Sequence, residues 1–544
     1  MVRTLKAGRG PRLRARVVLI GPGLSYLVVL LLVPLGLLIG YTLFRRGRFG
    51  RIAYEDGVTG ENFTRITDSL YAAVLTDSLR IAAVTTVLAL LLGYEVDDTS
   101  SETGGQAGPM RPLTILFAPE SAYGPTNNCV GMGDVLRRRG HRVVFAAEAS
   151  WKGRLTALGF EEDLVELAPP PEKPQKAGQF WKDFIRDTAP EFRKPTIEQL
   201  GTWVRPVWEE LVAGARYCEP RLKAIIGRVR PDVIVEDNVV CFPALTTAGV
   251  PFVRIVSCNP LETKGDLVPP PFSGYPAHDR AGWAEFRAEY DRTHRGVWSA
   301  FNAWVVEQGA RPLPDLEFIH EGDLNLYVYP EIADYTDARP LGPTWHRLDS
   351  SVRETDEEFT LPAELADPRT GTDGSALLYF SLGSLGSADV DLMRRIIGSL
   401  ARTPHRCIVS MGPLHDEIEL PPGMWGAEFL PQTRILPLVD LVITHGGNNT
   451  TTECLHHGKP MIVLPLFWDQ YDNAQRVAEL GYGVRLDPYR FTDAQLHHAL
   501  AKLLGDTPLR RTLRETSATI RARDGLHTAA DLVEQLGRDP QTLS

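Results

Sequence analysis

The chain has 544 residues, 43% hydrophobic and 23% charged, with a mean hydropathy of −0.13. That composition excludes a largely disordered chain and a polytopic membrane protein, and it allows about three domains. Of the net charge of −10, residues 1–109 contribute +3 and the remainder −13, so the acidic body presents no basic face for nucleic acid.

Residues 17–44 contain no charge over 28 positions. A membrane-crossing helix needs about 20 apolar residues. Six basic residues precede this run and four follow it, a bias that places the N-terminus in the cytoplasm. The run is too long for a cleaved leader, and no small-residue cleavage site follows it. A second apolar run, residues 81–94, is short for a span and is bounded by Asp77 and Arg80. One or two N-terminal membrane helices are therefore expected, with 17–44 as an anchor. Residues 95–109 are polar and rich in Gly and Ser, and read as a linker. Met110 stands directly before an apolar strand. Residues 1–109 thus read as an anchor, as an in-frame fusion, or as sequence ahead of a true start at Met110.

The stretch NFTRITDSLYAAVLTDSLRIAAVTTVLALLLGYE resembles the start of a spermidine/putrescine-type ABC transporter permease. The resemblance covers about residues 10–94 and stops inside the second span. The later spans, and the loop that docks on the ATPase, have no counterpart, so a working permease cannot be built from this piece. A permease-derived membrane component is the weakest of the functional readings.

From residue 111 the pattern changes. Residues 113–118, 142–147, 233–236 and 252–257 are short, nearly continuous apolar runs separated by helix-length segments. After the acidic stretch 348–374 the pattern repeats, at 376–381, 406–410, 441–444 and 461–465. Such strands predict parallel sheets covered on both faces. Two such halves place a ligand in the cleft between them, beyond the carboxyl ends of the strands. Residues 168–178 read as a loop and 528–536 as a closing helix. Trp181, Trp203 and Trp208 read mainly as helix packing, with the lining of an acceptor pocket as the sharper alternative. The six cysteines are scattered, with no CxxC pair and no zinc-ligand spacing, and read as reduced thiols in the cytoplasm.

The segment from Phe429 to Gln470 carries the chemistry. A buried strand ends at Thr444. His445-Gly446-Gly447 makes a tight turn, and Asn448, Asn449 and Thr450 are capping residues that open a helix. Gly458 and Pro460 end it, and another strand follows. The N–H groups at that helix start form an anion site suited to a diphosphate. Glu453 lies where a carboxylate accepts hydrogen bonds from a ribose diol, or where the helix dipole favours any acid. His456 and His457 read as helix-surface residues, and His141 as structural.

These residues resemble the donor signature of family 1 glycosyltransferases, the nucleotide-sugar-dependent enzymes of GT-B fold. The matching positions are Phe429, Pro431 and Gln432, then His445, Gly447, Asn449 and Thr450, then Glu453, Pro465, Asp469 and Gln470. The resemblance implies two Rossmann-like domains facing across a cleft, an acceptor domain at 110–345, a linker at 346–374 and a donor domain at 375–544. It implies that Phe429 stacks on the nucleobase and that Gln432 touches base or ribose. His445, Asn449 and Thr450, with Ser384 of the SLGS loop, would hold the diphosphate, and Glu453 the ribose hydroxyls. Asp469 and Gln470 would bind the sugar. The implied reaction is inverting transfer from a UDP or TDP sugar, UDP being expected, to a small hydrophobic acceptor. It needs no metal and no cofactor.

The catalytic base departs from the pattern. The family places a histidine in the loop after the first strand, oriented by an aspartate. Asp237 matches the aspartate, but Pro125 occupies the histidine position. The base is then Asp237, Glu236 or Glu120; or the acceptor needs little base assistance; or the protein binds nucleotide sugars without turnover. Nucleotide sugars are cytoplasmic, so a cytoplasmic body is expected, carried on the inner membrane face if the anchor is present.

Overall fold

The computed structural model describes residues 44–46, 52–58, 111–169, 183, 186–365 and 375–539. The chain divides into two compact units, Met1–Met110 and Arg111–Ser544. In the first, strands β1 (Phe44–Arg46) and β2 (Ile52–Val58) pair antiparallel. Phe44, expected as the end of a membrane span, is thus a strand residue. The rest of the expected spans, residues 17–43 and 81–94, and the linker 95–109 lie outside the described residues. Among the described residues no helix is long and apolar enough to cross a membrane, so the expected membrane helices gain no support.

The second unit holds two parallel sheets. The first comprises β3 (Thr114–Pro119), β4 (Arg142–Phe145), β5 (Glu161–Glu162), β6 (Val233–Asp237), β7 (Phe252–Val256), β8 (Leu324–Tyr327) and β9 (Trp345–Arg347). Their spatial order is β5-β4-β3-β6-β7-β8-β9. The second comprises β10 (Leu377–Ser381), β11 (Arg406–Ser410), β12 (Met424–Ala427), β13 (Leu441–Thr444), β14 (Met461–Val463) and β15 (Gly483–Arg485), in the order β12-β11-β10-β13-β14-β15. Every residue of β6, β7, β8, β10, β13 and β14 is buried. A strand buried on both faces needs cover above and below, and parallel neighbours need crossover connections to supply it. Among the described residues the helices eight residues or longer are α1 (Tyr123–Arg138), α2 (Arg205–Val229), α3 (Trp283–Glu307), α4 (Val390–Leu400), α5 (Asn448–His456), α6 (Gln470–Glu479), α7 (Asp493–Gly505), α8 (Thr507–Ala522) and α9 (Gly525–Arg538).

In each sheet the winding reverses at one strand pair, β3/β6 and β10/β13. The loops leaving those strands diverge to opposite faces and leave a crevice beyond the carboxyl ends. Glu120, Asp237, Ser257, Ser384, His445 and Asp469 sit at or just past strand carboxyl ends, and Asn128, Thr450 and Glu453 on the helices that follow them.

Helix α9 corrects the expected boundary at 375–544. Its residues Ala529, Ala530, Val533 and Leu536 are buried with Leu113, Ile115, Val233 and the α1 residues Cys129, Val130 and Met132. The last helix therefore returns to the first sheet, because its apolar face fits α1. His141 helps to hold it, with Nε2 3.1 Å from Glu534, while Nδ1 accepts the Leu113 N–H at 3.0 Å. Trp203 and Trp208 are buried in the core that runs from the first sheet into the second. Trp208 stacks on Phe318 and tilts against Trp468. Trp181 lies outside the described residues. None of the six cysteines forms a disulfide.

Candidate functional site

On the second half, the strand ends of β10 and β13 frame His445. A Cβ on Gly447 would stand 2.5 Å from His445 Nε2, and one on Gly383 (φ +73°) would stand 2.7 Å from the same ring. The two glycines leave the space that the imidazole fills. Burial pushes the His445 pKa down to about 4, so the ring is neutral near pH 7 and keeps one N–H to donate. The α5 N–H ladder begins with Thr451 N to the Gly447 carbonyl at 3.0 Å. The N–H groups ahead of it have no intrahelical acceptor and open toward the cleft. Ser384 lies half-buried in the short turn after β10.

Gln432, Thr450 and Glu453 form one polar network. Gln432 Nε2 donates to Glu453 Oε2 at 2.6 Å and to Thr450 Oγ1 at 3.2 Å. The Tyr379 hydroxyl donates to Gln432 Oε1 at 3.3 Å. Arg353 reaches the other Glu453 oxygen at 3.4 Å and pairs with Asp356 at 2.8 Å. Burial raises the Glu453 pKa, and the Arg353 charge opposes the rise. Arg353 and Asp356 come from the stretch expected to be a linker. Nothing in their local sequence marks them, since only the tertiary fold lays that segment against the α5 side of the network.

Phe429 is 45% exposed, with its ring 5.4 Å from Tyr123 and the Arg154 guanidinium 5.9 Å above it. Asp469 Oδ2 accepts the Asn259 N–H at 2.9 Å, and burial with the nearby Glu262 charge pushes its pKa up to about 7. Gln470 Oε1 accepts the N–H groups of Leu466 and Phe467 at 3.0 and 3.3 Å. Trp468, between these residues, adopts φ +57° and packs on Trp208 and Phe272. A bulky residue rarely adopts that conformation, so packing from the first half holds it there.

Asn449 bridges the halves. Its Nδ2 donates to the Gly124 carbonyl at 3.0 Å, and its Oδ1 accepts from Asn128 Nδ2 at 3.3 Å. The Asn448 amide donates to the Val328 carbonyl at 3.2 Å. The two asparagines expected as helix caps are therefore tied to the opposite half.

On the first half, Pro125 lies half-buried in the first turn of α1. One turn on, Asn128 faces Asp237 instead, and its Nδ2 donates to Asp237 Oδ2 at 3.2 Å. The Ser257 hydroxyl donates to the other oxygen at 2.7 Å. Asp237 is 2% exposed, and burial pushes its pKa up to about 7. Glu236 is fully buried on the other face of β6 and, among the described residues, has no hydrogen-bond partner on either oxygen. Glu120, the first residue beyond β3, is half-buried. Burial, with the charges of Asp469 and Glu262, pushes its pKa up to about 7. Asn128, Ser257 and Asn259 carried no sequence signal, because each acquires its meaning from a partner more than a hundred residues away or across the sheet. His456 and His457, expected on the surface, are partly buried where α8 covers α5. The Ser517 hydroxyl donates to the His456 carbonyl, and Ser350 Oγ lies 2.9 Å from His456 Nδ1.

Residues 394–530 match the family model described as the erythromycin biosynthesis protein CIII-like C-terminal domain. The chain is 24% identical over 436 residues to the demethyllactenocin mycarosyltransferase of Streptomyces fradiae, covering 79% of this chain and 87% of the relative. Among solved structures it resembles the glycotransferase of kitacinnamycin, with TM-score 0.58, 22% identity, and 78% and 99% of the two chains covered. It also resembles the glycosyltransferase VinC in complex with DTDP, with TM-score 0.53, 16% identity, and 78% and 100% covered. These likenesses establish the GT-B fold and support a family 1-like glycosyltransferase. They give no support to the permease resemblance of residues 10–94.

Proposed function

We propose that this chain, a GT-B glycosyltransferase by fold and by its relatives, transfers a sugar from a nucleoside diphosphate donor to a hydroxyl group of a small molecule, with inversion at the anomeric carbon. One observation carries the reading. Gln432, Thr450 and Glu453 close one hydrogen-bonded network on α5, whose N-terminus lies past the carboxyl end of β13 beside His445 and Gly447.

The leaving diphosphate gains charge as the glycosidic bond breaks. The N–H groups of the first α5 turn and the neutral His445 N–H are fixed in advance to receive it, the arrangement that stabilises a developing anion most. Ser384 and Thr450 add hydroxyl donors, and Asn449 adds its amide once released from Gly124. Glu453 accepts from the ribose, with Arg353 and Gln432 holding the carboxylate in place. Asp469 and Gln470 contact the sugar, and Phe429 offers its exposed face to the base. The donor is a TDP or UDP sugar. The VinC relative was solved with DTDP, which favours TDP over the UDP expected from sequence.

The test uses the full chain with TDP-glucose and UDP-glucose, against a panel of phenols, aliphatic alcohols, amines and macrolides. Acceptor-dependent release of nucleoside diphosphate is the expected result. Nucleotide binding without release, acceptor or water present, would sink the transferase reading and leave a non-catalytic binder, with Pro125 as the physical reason.

A further inference from the structure

We propose that Glu120 is the general base that takes the proton from the acceptor hydroxyl, an inference that rests on the transferase reading above. The residue stands where β3 ends and the crevice opens. Its backbone is clamped: its N–H donates to the Asp237 carbonyl at 2.8 Å, and its own carbonyl accepts from the Thr126 hydroxyl at 2.8 Å. A fixed main chain at a strand carboxyl end aims the side chain from the cleft wall.

The competing carboxylates are occupied or out of reach. Asp237 accepts a hydrogen bond on each oxygen, from Asn128 and from Ser257, and is almost wholly buried. Glu262 pairs with Arg254 at 2.5 Å. Asp469 accepts the Asn259 N–H. Glu236 faces the interior of the first half, away from α1 and without exposure. Glu120 is partly exposed, as Asp469 and Glu262 are, but among the described residues its carboxylate, unlike theirs, takes no hydrogen bond and no ion pair. It retains its lone pairs for an incoming hydroxyl.

The surroundings tune it. Asp469 before α6, Glu262 in the turn after β7 and Asp237 at the end of β6 all carry like charge toward this corner, and Cys258 lies in the same field. Burial, with the Asp469 and Glu262 charges, raises the Glu120 carboxyl to about 7, where a base combines a useful ionised fraction with enough proton affinity. Among the described residues these side chains do not converge on a metal site. Asp469 belongs to the second half, so Glu120 lies within the electrostatic reach of the residue proposed to hold the sugar.

The step balances without a further reagent. The acceptor O–H bond breaks and its proton passes to a Glu120 oxygen. The oxygen lone pair forms the new bond to the anomeric carbon, and the pair of the anomeric C–O bond leaves on the nucleoside diphosphate. Glu120 then releases the proton to solvent. Asp237 acts as a positioning residue, locking Asn128 and Ser257 behind the base.

The experiment compares the full-length chain with its Glu120→Gln and Glu120→Asp variants. Three acceptors are used with TDP-glucose: benzyl alcohol, 4-nitrophenol and water. A general base contributes about 10²–10⁴-fold, so Glu120→Gln should lower kcat on benzyl alcohol and water by roughly that factor. The acidic 4-nitrophenol, already ionised in part, should lose less than about tenfold. The wild-type limb of kcat/KM near pH 7 should vanish in Glu120→Gln and persist in Glu120→Asp and Asp237→Asn, while TDP affinity stays unchanged. Equal loss on all three acceptors, or an intact pH limb in Glu120→Gln, would overturn the assignment. Absence of wild-type nucleotide release with every acceptor would instead overturn the transferase reading beneath it.

Discussion

The two walls of the cleft are built on the same strand order yet assembled in different ways. On the donor wall, one stretch from Phe429 to Gln470 supplies a strand end, a helix start and the next strand end. Its polar groups satisfy each other at short range, with Gln432 bonded to both Thr450 and Glu453. On the wall from the first half, Glu120, Asn128, Asp237, Ser257 and Asn259 arrive from three strand ends and one helix, and the sheet behind them is completed by the last helix of the chain. A local site is stabilised by local geometry and leaves a fixed spacing in sequence. A site assembled from distant segments is specified by packing, and its members are unremarkable one at a time.

Removing residues 525–544 is the strongest way to break this contrast. It uncovers Leu113, Ile115, Val233 and the inner face of α1. The expected outcome is loss of a cooperative thermal transition for the first half, followed by circular dichroism and limited proteolysis. The milder Leu536→Ala should cost about 2–5 kcal/mol. A truncated chain that melts like the parent would show that α9 belongs to the donor half after all.

Next in size is His445→Ala on the donor wall. Loss of one preorganised donor to a developing anion lowers kcat by roughly 10²–10³. Stability should be nearly unaffected, because the imidazole fills a space left by two glycines rather than supporting a strand. Steady-state kinetics beside a melting curve separates the two. A large drop in Tm with unchanged kcat would make His445 a packing residue.

Phe429→Ala is expected to be smaller. The ring is exposed, so stability should move by less than about 0.5 kcal/mol. Loss of a stacking partner worth about 0.5–1.5 kcal/mol should weaken TDP binding by up to about tenfold. Calorimetric titration with TDP reads this directly, and unchanged affinity would assign Phe429 to its contacts with Tyr123 and Arg154 alone.

The smallest effect is the pH dependence of stability. The Glu120 carboxyl is raised in the fold from about 4.5 to about 7, so its neutral form is favoured there. Its contribution is full below about pH 4.5 and is lost as pH rises through 7. Glu120→Gln should therefore raise Tm relative to the parent at pH 8.5 and not at pH 4.5. His445 works in the opposite sense. Lowered from 6.5 to about 4, it costs stability as pH falls through that window, and His445→Ala should blunt the acid side of the melting profile. Differential scanning calorimetry at both ends of the range checks both signs.

Much of this molecule was legible before its fold. The apolar runs located eight strands, within a residue or two at most ends, because a strand buried on both faces has no polar positions to blur its limits. The short edge strands β5, β9, β12 and β15 were missed, since edges carry mixed residues and are set by their neighbours, and so was the interior strand β8, where the buried Asn325 interrupts the apolar run. The chain divides into its two units at Met110, where the polar, Gly- and Ser-rich stretch gives way to an apolar strand.

What the sequence determined by itself was the doubly wound class of each half and the donor motif, because a strand–turn–helix unit fixes its own residues through backbone geometry at short separation. Tertiary structure alone decided the rest. It sent α9 back to the first sheet, drew the Arg353–Asp356 pair up to Glu453 through Arg353, tied Asn449 to Gly124, and closed both oxygens of Asp237. Those choices rest on burial and hydrogen-bond completion between segments far apart in the chain, and such terms exist only after the two halves have packed.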